Sequence, residues 1–468
     1  MLKFVDTSQQ YPVKRKSDER KQDFAEIYQR FEHTAAREQA GRCSQCGVPY
    51  CQVHCPLSNN IPDWLMLVNA GRTREAYELS SATNTFPEIC GRICPQDRLC
   101  EGNCVIEQAD HGAVTIGSIE QYITETAFSE GWIKPIIPQQ ERDESVGIIG
   151  AGPAGLAAAE QLRSAGIKVT IYDRYDRAGG LLIYGIPSFK LEKQIVERRK
   201  EWLEQSGVTF VYNCNIGQDL TFSELRNRHN ALLIATGVYK ARAIKTPGSG
   251  LEGIIPALTY LTAANRRDLG DKVPAWEDGS LNAFEKDVVV IGGGDTAMDC
   301  LRTAVRQGAN SVKCLYRRDR ENMPGSQREV TNAIEEGVEF LWLSAPEAFL
   351  GNSHVSAVRM ARMRLGMSDA SGRGRPEIIE GSHETIPADI VIEALGFEPE
   401  NLPSLFDEPQ LPVTDWHTLK VNWKDMQTSL PGVFAAGDIV RGASLVVWGI
   451  RDGRDAAAGI LRWFETKV

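Results

Sequence analysis

One stretch constrains the fold of this chain more than any other: Val146-Gly-Ile-Ile-Gly-Ala-Gly-Pro-Ala-Gly155. Val146 to Ile149 reads as a short buried strand, and Gly150, Gly152 and Gly155 follow as a G-x-G-x-x-G turn. Leu156 to Ala165 is helix-like and stops at Gly166, and a second apolar strand, Val169 to Tyr172, ends at Asp173. In such a unit the first glycine permits a tight turn and the second lets the backbone approach a pyrophosphate. The third lets the helix sit close on the strand. The helix N-terminus then faces the phosphates. Asp173, 23 residues past Gly150, stands near where an acid would take a ribose hydroxyl. The pattern predicts a dinucleotide site and leaves open which dinucleotide.

A second unit repeats the plan with alanine in the third position: Val288-Val-Val-Ile, then Gly292, Gly293, Gly294, Asp295, Thr296 and Ala297. Its next strand, Ser311 to Tyr316, runs into Arg317-Arg318 in place of an acid. An acid there would repel a 2′-phosphate, whereas guanidinium groups bind one bidentately. NADPH is therefore expected on this loop in preference to NADH. Strand candidates at 146–149, 169–172, 208–212, 231–235, 288–291, 312–316, 389–394 and 432–435 alternate with helical stretches such as Leu191–Gln205 and Thr296–Gln307. That alternation predicts an α/β fold of parallel sheets with helices on both faces. Arg266–Lys286 and the region around 365–376 are expected at the surface.

The first 143 residues read differently. Residues 1–18 are polar and are expected as an extended arm. From Glu19 to Gln39, Phe24, Ile27, Tyr28, Phe31 and Ala35 recur at helical spacing, which predicts one amphipathic helix ending near Gly41. A helix over Pro62 to Ala70, closed by Gly71, follows the usual placement of proline and glycine. Residues 105–131 are partly helical, with Ile116, Ile119, Tyr122 and Ile123 on one face, and Pro135 and Pro138 break a linker. The expectation is a helical domain without strands.

That domain holds eight of the eleven cysteines. Cys43, Cys46, Cys51 and Cys55 form C-x2-C-x4-C-x3-C-P, and Cys90, Cys94, Cys100 and Cys104 form C-x3-C-P-x4-C-x3-C. The chain has 468 residues, enough for two or three domains. It starts without a signal-peptide pattern and has no apolar run of membrane-span length, so a soluble cytoplasmic protein is expected. In that compartment such cysteines bind metal rather than form disulfides. Closely spaced runs with prolines after Cys55 and Cys94 suggest two [4Fe–4S] clusters. Zinc, which joins two short pairs into one tetrahedral site, is the alternative. In two-cluster ferredoxins the cysteine before proline serves the other cluster. By that logic Cys43, Cys46, Cys51 and Cys104 form one cluster, and Cys55, Cys94 and Cys100 belong to a second that needs a fourth ligand, with Cys90 the obvious candidate. The net charge of −10, from 62 acids and 52 bases, argues against nucleic acid as a partner.

Two further stretches complete a pattern: Ala231-Leu-Leu-Ile-Ala-Thr236-Gly237, and Gly432-Val-Phe-Ala-Ala-Gly437-Asp438. With the two loops, the chain resembles the two-domain flavin reductases of the glutathione and thioredoxin reductase type. The resemblance implies FAD on Gly150, Gly152, Pro153, Ala154, Gly155 and Asp173, with Gly180, Leu181, Thr236, Gly237, Gly437 and Asp438 around it. Ser444, Leu445 and Val446 would open a helix aimed at the flavin, and Leu181, Ile186 and Lys190 would line its contact with nicotinamide. It also implies an NADPH domain, 245–398, inserted into an FAD domain, 144–244 and 399–468, after an iron–sulfur domain, 1–143. Thioredoxin reductases pass electrons to a C-x-x-C pair. None occurs after residue 104, so Cys214, Cys300 and Cys314 read as core thiols and the electrons need another exit. The cysteine domain resembles that of dihydropyrimidine dehydrogenase, which implies Glu120 as a rival to Cys90 for the fourth ligand position.

Longer matches run almost end to end: Cys90-Gly-Arg-Ile-Cys-Pro-Gln-Asp-Arg-Leu-Cys-Glu-Gly, Gly179-Gly-Leu-Leu-Ile-Tyr-Gly-Ile-Pro, Phe189-Lys-Leu-Glu-Lys, Gly292-Gly-Gly-Asp-Thr-Ala-Met-Asp-Cys, Tyr316-Arg-Arg-Asp, Asn322-Met-Pro-Gly-Ser and Gly437-Asp-Ile-Val-Arg-Gly. These are similar to the small (beta) subunits of bacterial NADPH-dependent glutamate synthases. The resemblance implies a subunit that passes electrons from NADPH through FAD and two [4Fe–4S] clusters to a large (alpha) subunit making L-glutamate from glutamine and 2-oxoglutarate. It implies a hetero-oligomer with no membrane partner. A related expectation is an NADPH:ferredoxin-type oxidoreductase subunit. A redox sensor without turnover and a zinc-held scaffold are rivals from other classes.

Overall fold

Both glycine loops sit at the carboxyl ends of strands in parallel sheets. The computed structural model describes residues 3–368 and 374–466. The first sheet runs Val433–Ala435, Ala231–Ile234, Ser145–Ile149, Lys168–Tyr172, Thr209–Val211. The second runs Ile254–Pro256, Ile390–Glu393, Asp287–Ile291, Ser311–Tyr316, Glu339–Trp342. All neighbouring pairs in both are parallel. Their central strands are buried throughout, as sheets covered on both faces require. The chain leaves the first sheet after Ile234 and returns to it only at Val433. Outgoing Lys240–Ala241 pairs antiparallel with returning Phe397–Glu398, so one short ribbon joins the two sheets.

Residues 3–143 contain helices and no named strand among those described. Ile61–Asn69 and Ile116–Ser129 are helical where their apolar spacing predicts it. The helix predicted over 19–39 is not formed as one piece. Ser17–Arg20 is a single turn, and the next helix is His33–Ala40. Between them the chain is extended: Arg15 N–H donates to Ile27 O, Gln29 N–H to Val13 O, and Ile27 N–H to Phe189 O. Ile27 and Phe31 are buried as the spacing implies, but by tertiary contact rather than on a helix face. Residues 3–18, expected within an extended arm, include a short helix at Lys3–Asp6 and are tied down, with Gln10 N–H donating to Gln39 Oε1 at 3.0 Å and Lys14 pairing with Glu335 at 2.7 Å. Arg20 is 1% exposed and pairs with Glu336 at 2.9 Å and Glu335 at 2.7 Å.

A three-stranded antiparallel sheet, Ser344–Gly351, Val355–Ser368 and Gly374–Pro387, lies in a region given no strands by pattern. Gly374–Pro387 is exposed along most of its length, so it shows no apolar alternation, and ladder pairing alone defines it. The turn expected around 365–376 has its centre, 369–373, outside the described residues. Arg266–Lys286 is only partly a surface excursion. Ala257–Asp268 carries a helix into it, and Ala283 is fully buried.

Candidate functional site

The first loop answers its three glycines in turn. Gly150 has φ +109°, and a Cβ there would run into the Ala235 carbonyl oxygen. Gly152 faces open space. A Cβ at Gly155 would strike the Gly150 carbonyl, so the helix Pro153–Ser164 can press on the strand only with glycine there. The Asp173 carboxylate ties this loop down, accepting Ala151 N–H at 2.6 Å and Tyr175 N–H at 2.8 Å. Burial raises its carboxyl above the usual range, and those two N–H groups work against the rise.

A cavity runs from this loop. Gly150, Gly152, Pro153, Ala154, Asp173, Leu181, Thr236, Gly237, Gly437, Asp438, Ser444, Leu445 and Val446 all line it. Gly155 and Gly180 do not: Gly155 packs behind the wall, and Gly180 caps the short helix Leu181–Tyr184 with φ +55°. The helix Val446–Glu465 points its N-terminus into the cavity, as expected for Ser444–Val446. Ser444 Oγ donates to Asp438 Oδ1 at 2.6 Å, and burial raises the Asp438 carboxyl to about 6. Pattern reading missed several wall residues. Tyr239, two places past Gly237, lines both this cavity and an adjoining one beyond Asp173. Arg174 pairs with Glu400 at 3.0 and 2.5 Å and lies over the Tyr239 ring at 5.1 Å. Gly453 lets the C-terminal helix meet the Ala154 carbonyl.

The second loop matches the first in backbone. Gly292 has φ +147° with Ala394 O behind it, Gly294 faces open space, and Ala297 is fully buried. Gly293 is covered by the Tyr316 ring. Asp295 Oδ1 accepts Ser326 N–H at 2.9 Å. The two arginines part company: Arg317 is exposed, whereas Arg318 is buried and donates from Nε to Gly374 O at 3.0 Å. Asp295 and Thr296 line a central cavity shared with Leu181, Ile186 and Lys190. Lys190 Nζ pairs with Asp299 Oδ1 at 2.8 Å and lies 3.7 Å from Glu329. Burial opposes the Lys190 charge, but these acids hold its ammonium above the usual range.

The cysteines gather in two pockets. Cys43, Cys46, Cys51 and Cys104 surround one. Cys55, Cys90, Cys94, Cys100 and Glu120 surround the other. Burial pushes the thiols of Cys43, Cys51 and Cys55 up to about 11, 12 and 11, so thiolates there need a nearby cation. Among the described residues no three His, Cys, Asp or Glu side chains converge on a single ion. Glu120 Oε1 accepts Asn59 Nδ2 at 3.0 Å and Asn84 Nδ2 at 2.9 Å. Cys90 Sγ donates to Asn84 Oδ1 at 3.7 Å.

These sites adjoin one another. Leu181 and Ile186 wall both the central cavity and the cavity of the first glycine loop. Ile93 lines the same two, and its neighbour Cys94 lines the central cavity and the second cysteine pocket. Ile116 lines both cysteine pockets.

Known proteins were compared with this arrangement. Residues 20–132 match a family described as dihydropyrimidine dehydrogenase domain II, 4Fe-4S cluster, and residues 144–453 match pyridine nucleotide-disulphide oxidoreductase. The "Glutamate synthase [NADPH] small chain" of Azospirillum brasilense is 66% identical over 468 residues, covering 100% of this chain and 97% of that one. The chain belongs to the glutamate synthase small-chain family. It is an oxidoreductase. The "Putative oxidoreductase AegA" of Escherichia coli is 45% identical, covering 97% of this chain and 70% of that protein. Among solved structures, Mycobacterium tuberculosis FprA in complex with NADPH aligns with TM-score 0.59 at 20% identity, over 69% of this small chain and 85% of FprA, which supports the fold. No helix among the described residues of this family member is long and apolar enough to cross a membrane.

Proposed function

We propose that this chain is the reductase subunit of an NADPH-dependent glutamate synthase. It delivers electrons from NADPH to a large catalytic subunit that makes L-glutamate from glutamine and 2-oxoglutarate. The observation that carries the reading is the unbroken line of sites from the second glycine loop, through the central and flavin-side cavities, to both cysteine pockets. FAD held there would supply the junction between two-electron hydride chemistry and one-electron transfer.

The chain's own residues position and shield. Gly150, Gly152 and the N-terminus of Pro153–Ser164 cradle the FAD pyrophosphate, Gly155 seats that helix on the strand, and Asp173 and Asp438 stand on the sugar side. Gly292 to Ala297 do the same for NADPH. Arg317 takes the 2′-phosphate, while Arg318 chiefly braces the strand at Gly374. Leu181 and Ile186 keep water from the reacting rings. The N-terminus of Val446–Glu465 favours negative charge on its neighbour. No side chain is needed as nucleophile or general base.

Cys43, Cys46, Cys51 and Cys104 hold one [4Fe–4S] cluster, and Cys55, Cys94 and Cys100 hold the other. Glu120 is the better fourth ligand. Two amides and the Ser80 hydroxyl all donate to Oε1 and leave the other oxygen for iron. Glu120→Ala should therefore lose about half the iron and acid-labile sulfide, and Cys90→Ala should keep both. The reverse result would return Cys90 to the cluster.

The route is tested by anaerobic rapid mixing. Cys94→Ala should still let NADPH bleach the flavin but lose transfer to a one-electron acceptor; unimpaired transfer would sink the route through Cys94. Zinc without sulfide in the wild type would remove the clusters altogether. Co-purification with the large subunit, and glutamine- and 2-oxoglutarate-dependent NADPH oxidation, test the partner. The full-length match to AegA, which is a longer protein, favours one second reading: the same module serving another acceptor, such as a ferredoxin-type carrier.

A further inference from the structure

Lys193 is a buried cation that the reading above does not use. It is the first residue of the helix Lys193–Gln205, 7% exposed. A positive charge at a helix N-terminus opposes the macrodipole, and burying it without a carboxylate partner costs more than burying an apolar chain. Among the described residues no acid pairs with it. Asp268 is engaged by Ser188 Oγ, and Asp299 by Lys190 at 2.8 Å. Burial pushes the Lys193 ammonium down to about 7, against the pull of Asp268 and Asp299.

Its Nζ donates instead to two main-chain carbonyls, Leu182 O at 3.3 Å and Ile186 O. These belong to the short helix Leu181–Tyr184 and the turn that leaves it. Ile186 N–H closes the same turn onto Leu181 O at 2.8 Å. The turn carries the two apolar side chains, Leu181 and Ile186, that wall both the central and the flavin-side cavity. Packing alone would be met as well by methionine, without the cost of the charge.

We propose that Lys193 is a positioning residue for hydride transfer. It pins the Leu181–Ile186 turn from behind, so that these side chains hold the nicotinamide and flavin rings at reacting distance. The proposal rests on the hydride-transfer reading above. It also explains a local conflict, a lysine where the helix dipole disfavours one.

The test uses the full chain, loaded with FAD, under anaerobic rapid mixing with NADPH. Lys193→Met should slow flavin reduction about 10- to 100-fold, the scale expected of a small misplacement of reacting groups. FAD content and the NADPH Kd should stay within about twofold. Lys193→Gln keeps two N–H donors without the charge and should recover to within about threefold of wild type. Reduction of Lys193→Met at the wild-type rate, or of Lys193→Gln as slowly as Lys193→Met, would overturn the proposal. If Lys193→Met fails to retain flavin, Lys193→Gln decides: a near-wild-type rate supports pinning by hydrogen bonds, and a loss of about tenfold or more refutes it. Failure of the wild type itself to be reduced by NADPH would instead overturn the hydride-transfer reading.

Discussion

The two glycine loops share a backbone and differ in what surrounds them. Gly150 and Gly292 both take positive φ against a neighbouring strand's carbonyl, and Gly152 and Gly294 both face open space. The first loop is then closed in. Asp173 fastens it, Gly437 touches Ala154, and the C-terminal helix lies across it at Gly449 and Gly453. The second loop is held by other neighbours: the Tyr316 ring lies on Gly293, Gly325 N–H donates to Gly293 O at 3.0 Å, and Asp295 and Thr296 line the central cavity. The lesson is that one backbone geometry can be fastened by different partners, an acid and the C-terminal helix at the first loop, Tyr316 and the Gly325 turn at the second.

The largest effect should come from breaking each loop at its first glycine. Gly150→Val should empty the flavin site, with FAD affinity down about 100-fold or more, read from visible absorbance. Gly292→Val should leave FAD in place and reducible by dithionite but not by NADPH. If Gly292→Val also empties FAD, the two loops are not independent sites. Next in size is Arg317→Ala with Arg318→Ala. Losing a charge-assisted contact of about 1.5–3 kcal/mol should raise the NADPH Kd about 10- to 100-fold and spare NADH. Equal weakening of both would count against the 2′-phosphate role, and Arg318→Ala alone should do less than Arg317→Ala.

Enclosure itself can be probed at Gly453. Gly453→Ala forces a Cβ onto the Ala154 carbonyl, and overpacking of about 1–3 kcal/mol should weaken FAD about tenfold with the NADPH Kd unchanged. The smallest effect concerns Glu160, on the first loop's helix, whose carboxyl burial raises to about 7. Its folded value lies above its unfolded one. The group therefore supports the fold most below about pH 4.5, and that support is lost as pH rises to about 7. Glu160→Gln should raise thermal stability at pH 8 by on the order of 1–2 kcal/mol, with the gap closing toward pH 5. A constant gap across that range would assign the effect to packing.

Legibility in the sequence followed period and spacing. The strand–loop–helix units read correctly because their apolar runs and glycines are local signals with one structural solution. The segment 19–39 misled because Phe24, Ile27 and Phe31 are spaced for a helix, yet the chain there is extended, pairing with residues 13–15 and with Phe189, and only Ile27 and Phe31 of the three are buried. In the sheet at 344–387 the strand Gly374–Pro387 was silent because it is exposed, whereas Val355–Ser368 buries Val358, Met360 and Met363 alongside exposed arginines, a pattern that was there to be read. Among site residues, Tyr239, Glu400 and Gly453 carried no motif. Arg317 and Arg318, adjacent in sequence, were indistinguishable until one proved exposed and the other buried.

By itself, then, the sequence determined the two dinucleotide units, the order of the modules along the chain and the supply of eight thiols. Glycine spacing, apolar periodicity and cysteine clustering are properties of neighbours along the chain. Only the tertiary structure decided which cysteines face one pocket, which cavity each loop opens on, and that Ile93 and Cys94 bridge the nucleotide cavities to the second cysteine pocket. Those facts depend on contacts between segments tens to hundreds of residues apart, such as Arg199 with Glu88 and Lys190 with Asp299, and no local pattern encodes them.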